Sequence, residues 1–206
     1  MLLGDCLCLN YCTNMIKKIC LASNSPRRRE LVKYLGLPFE TVSVDTDETN
    51  HPEDPEKAAV CIAERKALKC LADRGLADGE VIIGADTVVV LDGLILGKPR
   101  DREDAFATLK LLSGKSHFVY TGVTLVYRDA EGNERAVEFA EKTLVKFADI
   151  SGAEIDAYLD TGEYADKAGS YAIQGVFSRH IERIEGDYNN VVGFPVARIY
   201  AELAKM

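Results

Sequence analysis

Lys17-Lys18-Ile19-Cys20-Leu21-Ala22-Ser23-Asn24-Ser25-Pro26-Arg27-Arg28-Arg29 is an apolar strand that runs directly into a helix start. Ser25 is a suitable N-cap, Pro26 suits the first helical position, and Gly36 stops the helix after about Leu35. Working outward, apolar runs keep alternating with amphipathic segments, the pattern of an α/β protein. Phe39–Asp45 reads as a strand, followed by an acidic loop with Asp47, Glu48, Glu53 and Asp54. Asp54-Pro55 opens a helix that Gly75 closes, with Ala59, Ile62, Ala63, Lys66 and Cys70 on one side. Val81–Leu91 is the most apolar strand, and Asp92-Gly93 turns it back into Leu94–Lys98. A helix over Asp101–Leu112, strands over Phe118–Arg128 and Arg135–Phe147, and a Ser151-capped helix ending near Gly162 come next. The glycine-containing loop Ala168–Gly175, a strand over Phe177–Ile184 and a helix from Pro195 complete the chain.

The 206 residues are 47% apolar and 28% charged, which excludes a largely disordered chain. The net charge of −8 argues against a general DNA or RNA coat, but leaves room for clustered cations in one pocket. Apolar runs such as Val88–Leu91 are too short to span a membrane, so a soluble, cytoplasmic protein is expected. The cysteines at 6, 8, 12, 20, 61 and 70 form no C-x-x-C pair, and the three histidines are scattered. Zinc-site spacing is therefore absent, and reduced thiols are the simplest reading. Residues 1–14 lack a basic leader and read as an N-terminal extension, with an added edge strand as the alternative. Residues 15–206 read as one domain, without repeat or linker.

Three places carry chemistry. At Ser23-Asn24-Ser25-Pro26-Arg27-Arg28-Arg29, free backbone N–H groups, hydroxyls and guanidiniums favour an anion such as a phosphate. The plain alternative is a capped helix with solvated arginines. In Gly84-Ala85-Asp86-Thr87, a carboxylate within an apolar strand must be paired or lie beside a metal. Beside a water and a cation it is a suitable general base; a structural ion pair with Lys98 across the turn is equally consistent. In the loop Ala168-Gly169-Ser170-Tyr171-Ala172-Ile173-Gln174-Gly175, glycines permit close backbone approach. Gln174 offers both a donor and an acceptor to a base edge.

Taken in order, these segments resemble the Maf family of nucleoside triphosphate pyrophosphatases, from about Ile16 to the C-terminus. The matching stretches are Leu21–Arg28, Ala63-Glu64-Arg65-Lys66-Ala67, Gly84–Val89, Leu96-Gly97-Lys98-Pro99, Leu112-Ser113-Gly114, Asp166–Tyr171 and Asn190–Pro195. Cys61 departs from the pattern, since relatives often carry an arginine there. The resemblance implies an inosine-triphosphatase-like α/β fold, with a mixed twisted sheet and two lobes flanking a deep nucleotide cleft. It also implies hydrolysis of a nucleoside triphosphate to the monophosphate and pyrophosphate with Mg²⁺ or Mn²⁺. By motif, Asp86 is the proton acceptor, and Arg27, Thr87 and Gln174 match base-selecting positions. Lys66 and Lys98 match phosphate-contacting lysines, and Glu48 matches an acidic residue near the metal, with Asp86 its companion. Ser23, Ser25 and Arg28 join the phosphate site.

Gln174 in its Tyr-x-x-Gln-Gly context resembles the branch acting on dTTP and UTP, and Thr87 agrees with it. A glutamine amide can donate to a pyrimidine carbonyl and accept from its N3–H. The branch acting on 7-methyl-GTP, and a nucleotide-binding regulator of cell division without turnover, are the alternatives. The substrate is the expected partner, without nucleic acid or membrane and with room for a homodimer. The hairpin after Asp86 has two registers. A two-residue Asp92-Gly93 loop places Asp86 and Lys98 on opposite faces. A bulged three-residue loop, Leu91-Asp92-Gly93, pairs them directly, and the chemistry favours this second one.

Overall fold

A computed structural model describes residues 16–206; the expected extension over residues 1–14 lies outside the described residues. Strand β1 (Lys18–Ala22) has parallel neighbours on both sides, β2 (Phe39–Val42) and β3 (Glu80–Leu91). Parallel pairing needs crossover connections, and α1 (Pro26–Val32) and α2 (Pro55–Arg74) supply them. Beyond β3 the pairing turns antiparallel through β5 (Ser116–Arg128), β6 (Glu134–Phe147) and β7 (Ile181–Glu185). The order is β2-β1-β3-β5-β6-β7, with β4 (Leu94–Leu96) attached to β3, so the sheet is mixed. Helices α3 (Arg102–Leu112), α4 (Gly152–Leu159), α5 (Tyr188–Val192) and α6 (Val196–Leu203) complete the fold.

Helix starts follow the sequence closely. The Ser25 side chain accepts from the Arg28 N–H, and the Asp54 side chain accepts from the Lys57 N–H, each ahead of a proline. Ser151 and Glu154 form a reciprocal capping box on α4. The main core packs Phe147, Tyr158, Tyr171 and Phe177 among aliphatic side chains; the rings of Phe147 and Tyr171 lie 4.8 Å apart, as do those of Tyr158 and Phe177. Tyr171 belongs to the glycine-containing loop, and its ring ties that loop to this core.

Glycines set how closely α2 approaches the sheet. A Cβ on Gly84 would lie 2.2 Å from the Ala63 carbonyl oxygen, and one on Gly122 would lie 2.2 Å from the Ala59 carbonyl carbon. Asp86 pairs with Gly122 in the ladder and is two residues from Gly84, so all three face α2. The bare patch draws the helix down and delivers Lys66 to Asp86.

The structure corrects several expectations. β2 ends at Val42 rather than Asp45, because the chain then leaves the sheet toward the acidic loop. Residues Val176–His180 form a 3₁₀ segment, and the following strand starts only at Ile181. The short helix α5 has Asp187 as its cap and Gly193 at its end, a span too brief to show helical periodicity. The hairpin takes the two-residue register, with Leu91 opposite Leu94 and Val89 opposite Leu96. Asp92 and Gly93 have φ of 51° and 83°, the primed turn that matches strand twist. The bulged register and its direct Asp86–Lys98 pair are therefore absent; Lys98 lies beyond the ladder.

Gly122→Ala must push α2 away from the sheet, because the clash is with backbone. We expect a loss of about 1–3 kcal/mol in urea unfolding as α2, with Lys66, moves from the sheet. An unchanged midpoint would show that the close approach is unimportant.

Candidate active site

Ser23, Ser25, Arg27, Arg28, Glu48, Lys66, Asp86, Thr87, Lys98 and Gln174 all line one cleft of about 550 Å³. That size is ordinary for a small-molecule site. With Lys167, five cationic side chains line it in a chain of net charge −8, against the carboxylates Asp45, Glu48, Asp86 and Asp166. Such clustering gives an anion a local field that the whole-chain charge conceals.

At the centre, Lys66 from α2 is buried and shared between two carboxylates. Its Nζ lies 2.7 Å from Asp86 Oδ1 and 2.7 Å from Glu48 Oε1. Lys98 Nζ lies 2.8 Å from Glu48 Oε2, so Glu48 bridges the two lysines. Burial pushes the Glu48 carboxyl up, but hydrogen bonds and charge from Lys66 and Lys98 prevail and hold its pKa at about 2. Lys98 thus reaches Glu48 rather than Asp86, and Lys66 neutralises the strand carboxylate.

A second network faces the other side of β3. Arg28 donates through Nε to the Gly193 carbonyl at 2.7 Å and through Nη2 to Thr87 Oγ1 at 3.0 Å. Thr87 and Thr121 hydroxyls lie 2.9 Å apart, and Thr121 donates to the Asn190 carbonyl at 2.9 Å. A hydroxyl has one proton. Thr121 spends its proton on Asn190, so Thr87 must donate to Thr121 and accept from Arg28. The order Arg28→Thr87→Thr121→Asn190 follows, leaving Thr87 only acceptor capacity toward the cleft. Asn190 also donates to the Val119 carbonyl at 3.1 Å and to Thr143 Oγ1 at 2.9 Å. Asn190 and Gly193 belong to the Asn190–Pro195 stretch, whereas Thr121 carries no signal of this contact in the sequence.

At the mouth, Ser23 Oγ accepts the Ser25 N–H at 3.1 Å, and Ser25 Oγ caps α1. Both hydroxyls are used as acceptors, which leaves their protons for an anion. Arg27 Nη1 lies 3.3 Å from Asp166 Oδ2, joining α1 to the loop that leads to Gln174. Gln174 itself is exposed on the cleft rim. Glu48 and Asp86 are hard oxygen donors held by the same ammonium, and that donor set fits a hard divalent cation. A separate group, Cys20, Glu40 and Glu80, brings potential ligand atoms within 4.8 Å of one another. Its carboxylates are already engaged by Arg74 and Lys18, and none of the three residues lines the cleft.

The mixed sheet with its flanking helices is also the fold of a HAM1 protein from Coxiella burnetii, which matches with a TM-score of 0.52 at 14% identity over 93% of this chain and 100% of that one. The Maf-like protein family model matches residues 18–206, and the chain belongs to that family. Among curated relatives, the dTTP/UTP pyrophosphatase of Caldanaerobacter subterraneus subsp. tengcongensis is 47% identical over 89% of this chain and 86% of its own length. The dTTP/UTP pyrophosphatase of Agathobacter rectalis is 45% identical over 93% and 98% respectively. Among the described residues, no helix is long and apolar enough to cross a membrane.

Because the folded pKa of Glu48 lies below its ordinary 4.5, its contribution to stability is complete above that value and is lost as pH falls toward 2. Glu48→Gln should flatten this part of the acid limb when urea unfolding is followed against pH. A limb unchanged in slope would show that the two lysines do not hold the carboxylate in solution.

Proposed function

We propose that this protein hydrolyses dTTP and UTP to the monophosphate and pyrophosphate, with Asp86 as the base. The observation that carries the mechanism is Asp86 beside Lys66 and Glu48, in a cleft whose rim bears Gln174. Attack of water on the α-phosphorus brings electron density toward an already anionic centre, so the barrier is largely electrostatic. Lys66 and Lys98 are neutralised by carboxylates in the free protein and exchange those partners for phosphate oxygens as the triphosphate enters. Arg28 is held rigid by Gly193 and Thr87, which limits its cost of ordering on binding. The Ser23 and Ser25 hydroxyls donate at the same end of the cleft. Asp86 accepts the proton of the attacking water, and the bond from the α-phosphorus to the bridging oxygen breaks to release pyrophosphate. Mg²⁺ or Mn²⁺, held by Glu48 and Asp86, supplies further neutralisation of phosphate charge when bound.

Gln174 is the base-reading residue in this proposal, its amide matching the alternating acceptor and donor edge of a pyrimidine. Arg27, tied to Asp166 on the approach to that loop, and Thr87 support the selection. A cytoplasmic setting suits the three free thiols of Cys20, Cys61 and Cys70 among the described residues.

Asp86→Asn is nearly isosteric and should preserve nucleotide binding by calorimetry while reducing pyrophosphate release by about 10²–10⁴-fold. Near-normal turnover would move the base elsewhere, with Glu48 the next candidate. Gln174→Glu should lower kcat/KM for dTTP and UTP more than for purine triphosphates, by about 2–4 kcal/mol in transition-state binding. Equal losses across all bases would make Gln174 a structural residue.

A further inference from the structure

The loop that carries Gln174 is held from behind by side chains that do not line the cleft. The Ala172 N–H donates to Tyr158 Oη at 3.1 Å, and the Val176 N–H points at both Glu163 oxygens, at 3.1 and 3.4 Å. Only Ile173, Gln174 and Gly175 separate the two anchored residues. Gly175 has φ of +128°, and a Cβ there would lie 2.5 Å from Glu163 Oε2, so the carboxylate packs directly against this backbone. The two anchors are themselves joined. Thr161 Oγ1 donates to the Tyr158 carbonyl at 2.7 Å and accepts the Glu163 N–H at 3.2 Å. Tyr158 is fully buried with its ring against Phe177, which ties the bracket to the core.

We infer that Glu163 and Tyr158 are positioning residues that set base preference by fixing the backbone on either side of Gln174. This rests on Gln174 being the base reader. Reading a base edge requires the amide to stay within a few tenths of an ångström of its partners. A side chain on a loop meets that demand only if the loop has lost its own freedom. Glu163 supplies an acceptor for a backbone N–H that would otherwise let residues 173–176 shift. Tyr158 does the same for the Ala172 N–H. Neither touches the reacting phosphates, so their loss should alter which base is chosen more than the rate of phosphate chemistry.

The experiment measures kcat/KM for dTTP, UTP, ATP and GTP with Mg²⁺ for wild type, Glu163→Ala, Glu163→Gln, Gln174→Ala and the Glu163→Ala/Gln174→Ala double variant. Glu163→Ala should lower the pyrimidine-to-purine ratio by about tenfold or more. Glu163→Gln should recover most of it, because the glutamine carbonyl oxygen still accepts from Val176. In the Gln174→Ala background, Glu163→Ala should add little further change, since no reading amide remains to be positioned. Tyr158→Phe, which keeps the ring and removes the acceptor, should shift the ratio in the same direction. A Glu163→Ala protein with the wild-type ratio, alongside a Gln174→Ala protein whose ratio collapses, would overturn the positioning role and leave the base reading intact. A uniform loss across all four nucleotides in Glu163→Ala would also overturn it. An unchanged ratio in Gln174→Ala would instead overturn the base reading, and the positioning role with it.

Discussion

Lys66 is the hinge of the site's electrostatics. A carboxylate embedded in an apolar strand is costly unless a cation reaches it, and Asp86 is reached by an ammonium 2.7 Å away that is itself buried. The same ammonium holds Glu48, and Glu48 holds Lys98. Removing Lys66 would leave Asp86 without a cation, and removing Glu48 would leave Lys98 without its carboxylate, so the four form one linked chain. The chain also has no excess charge of its own, two carboxylates against two ammoniums, which lets the free protein tolerate it. A polyanionic ligand arriving with a divalent cation meets side chains that can change partners without leaving any charge exposed to apolar surroundings.

That arrangement depends on glycine. Helix α2 touches β3 and β5 where Gly84 and Gly122 present no side chain, at separations that a single methyl group would forbid. Close packing is usually discussed as a source of stability, but here it also sets the reach of one lysine. β3 then divides its work by the pleat of the strand. Asp86 faces α2 and the ion-pair network, while its neighbour Thr87 faces the ordered chain from Arg28 to Asn190. Adjacent residues in one strand thereby belong to two separate hydrogen-bonded systems.

The rim follows a different logic. Gln174 sits on irregular backbone, where neither helix nor ladder can define its place. Rigidity is imported from α4 and the turn after it through Tyr158, Thr161 and Glu163, and from the buried His117, whose Nε2 lies 2.9 Å from Tyr171 Oη. Burial pulls the His117 pKa down to about 4, so the ring remains a neutral hydrogen-bonding partner near pH 7.

Much of this was determined locally and could be read from the chain. The Ser25-Pro26 and Asp54-Pro55 starts, the Ser151 cap and the stops at Gly36 and Gly75 depend on backbone groups a few residues away, and they appear where expected. The α2 side bearing Ala59, Ile62, Ala63, Lys66 and Cys70 is buried, because helical periodicity places those residues together. The motifs also named the residues that now line one cleft. What the chain left open was partnership. The hairpin register turned on whether Asp92 would accept a positive φ, and the expected Asp86–Lys98 pair gave way to Lys66, which lies twenty residues earlier in sequence. Glu163 and Tyr158 carry no sign of their role in a linear reading, since each acts on a backbone N–H at least thirteen residues later. Caps and periodicities are short-range and legible; ion pairs and loop anchors are decided only when α2 settles on two glycines and α4 comes to rest beneath the loop.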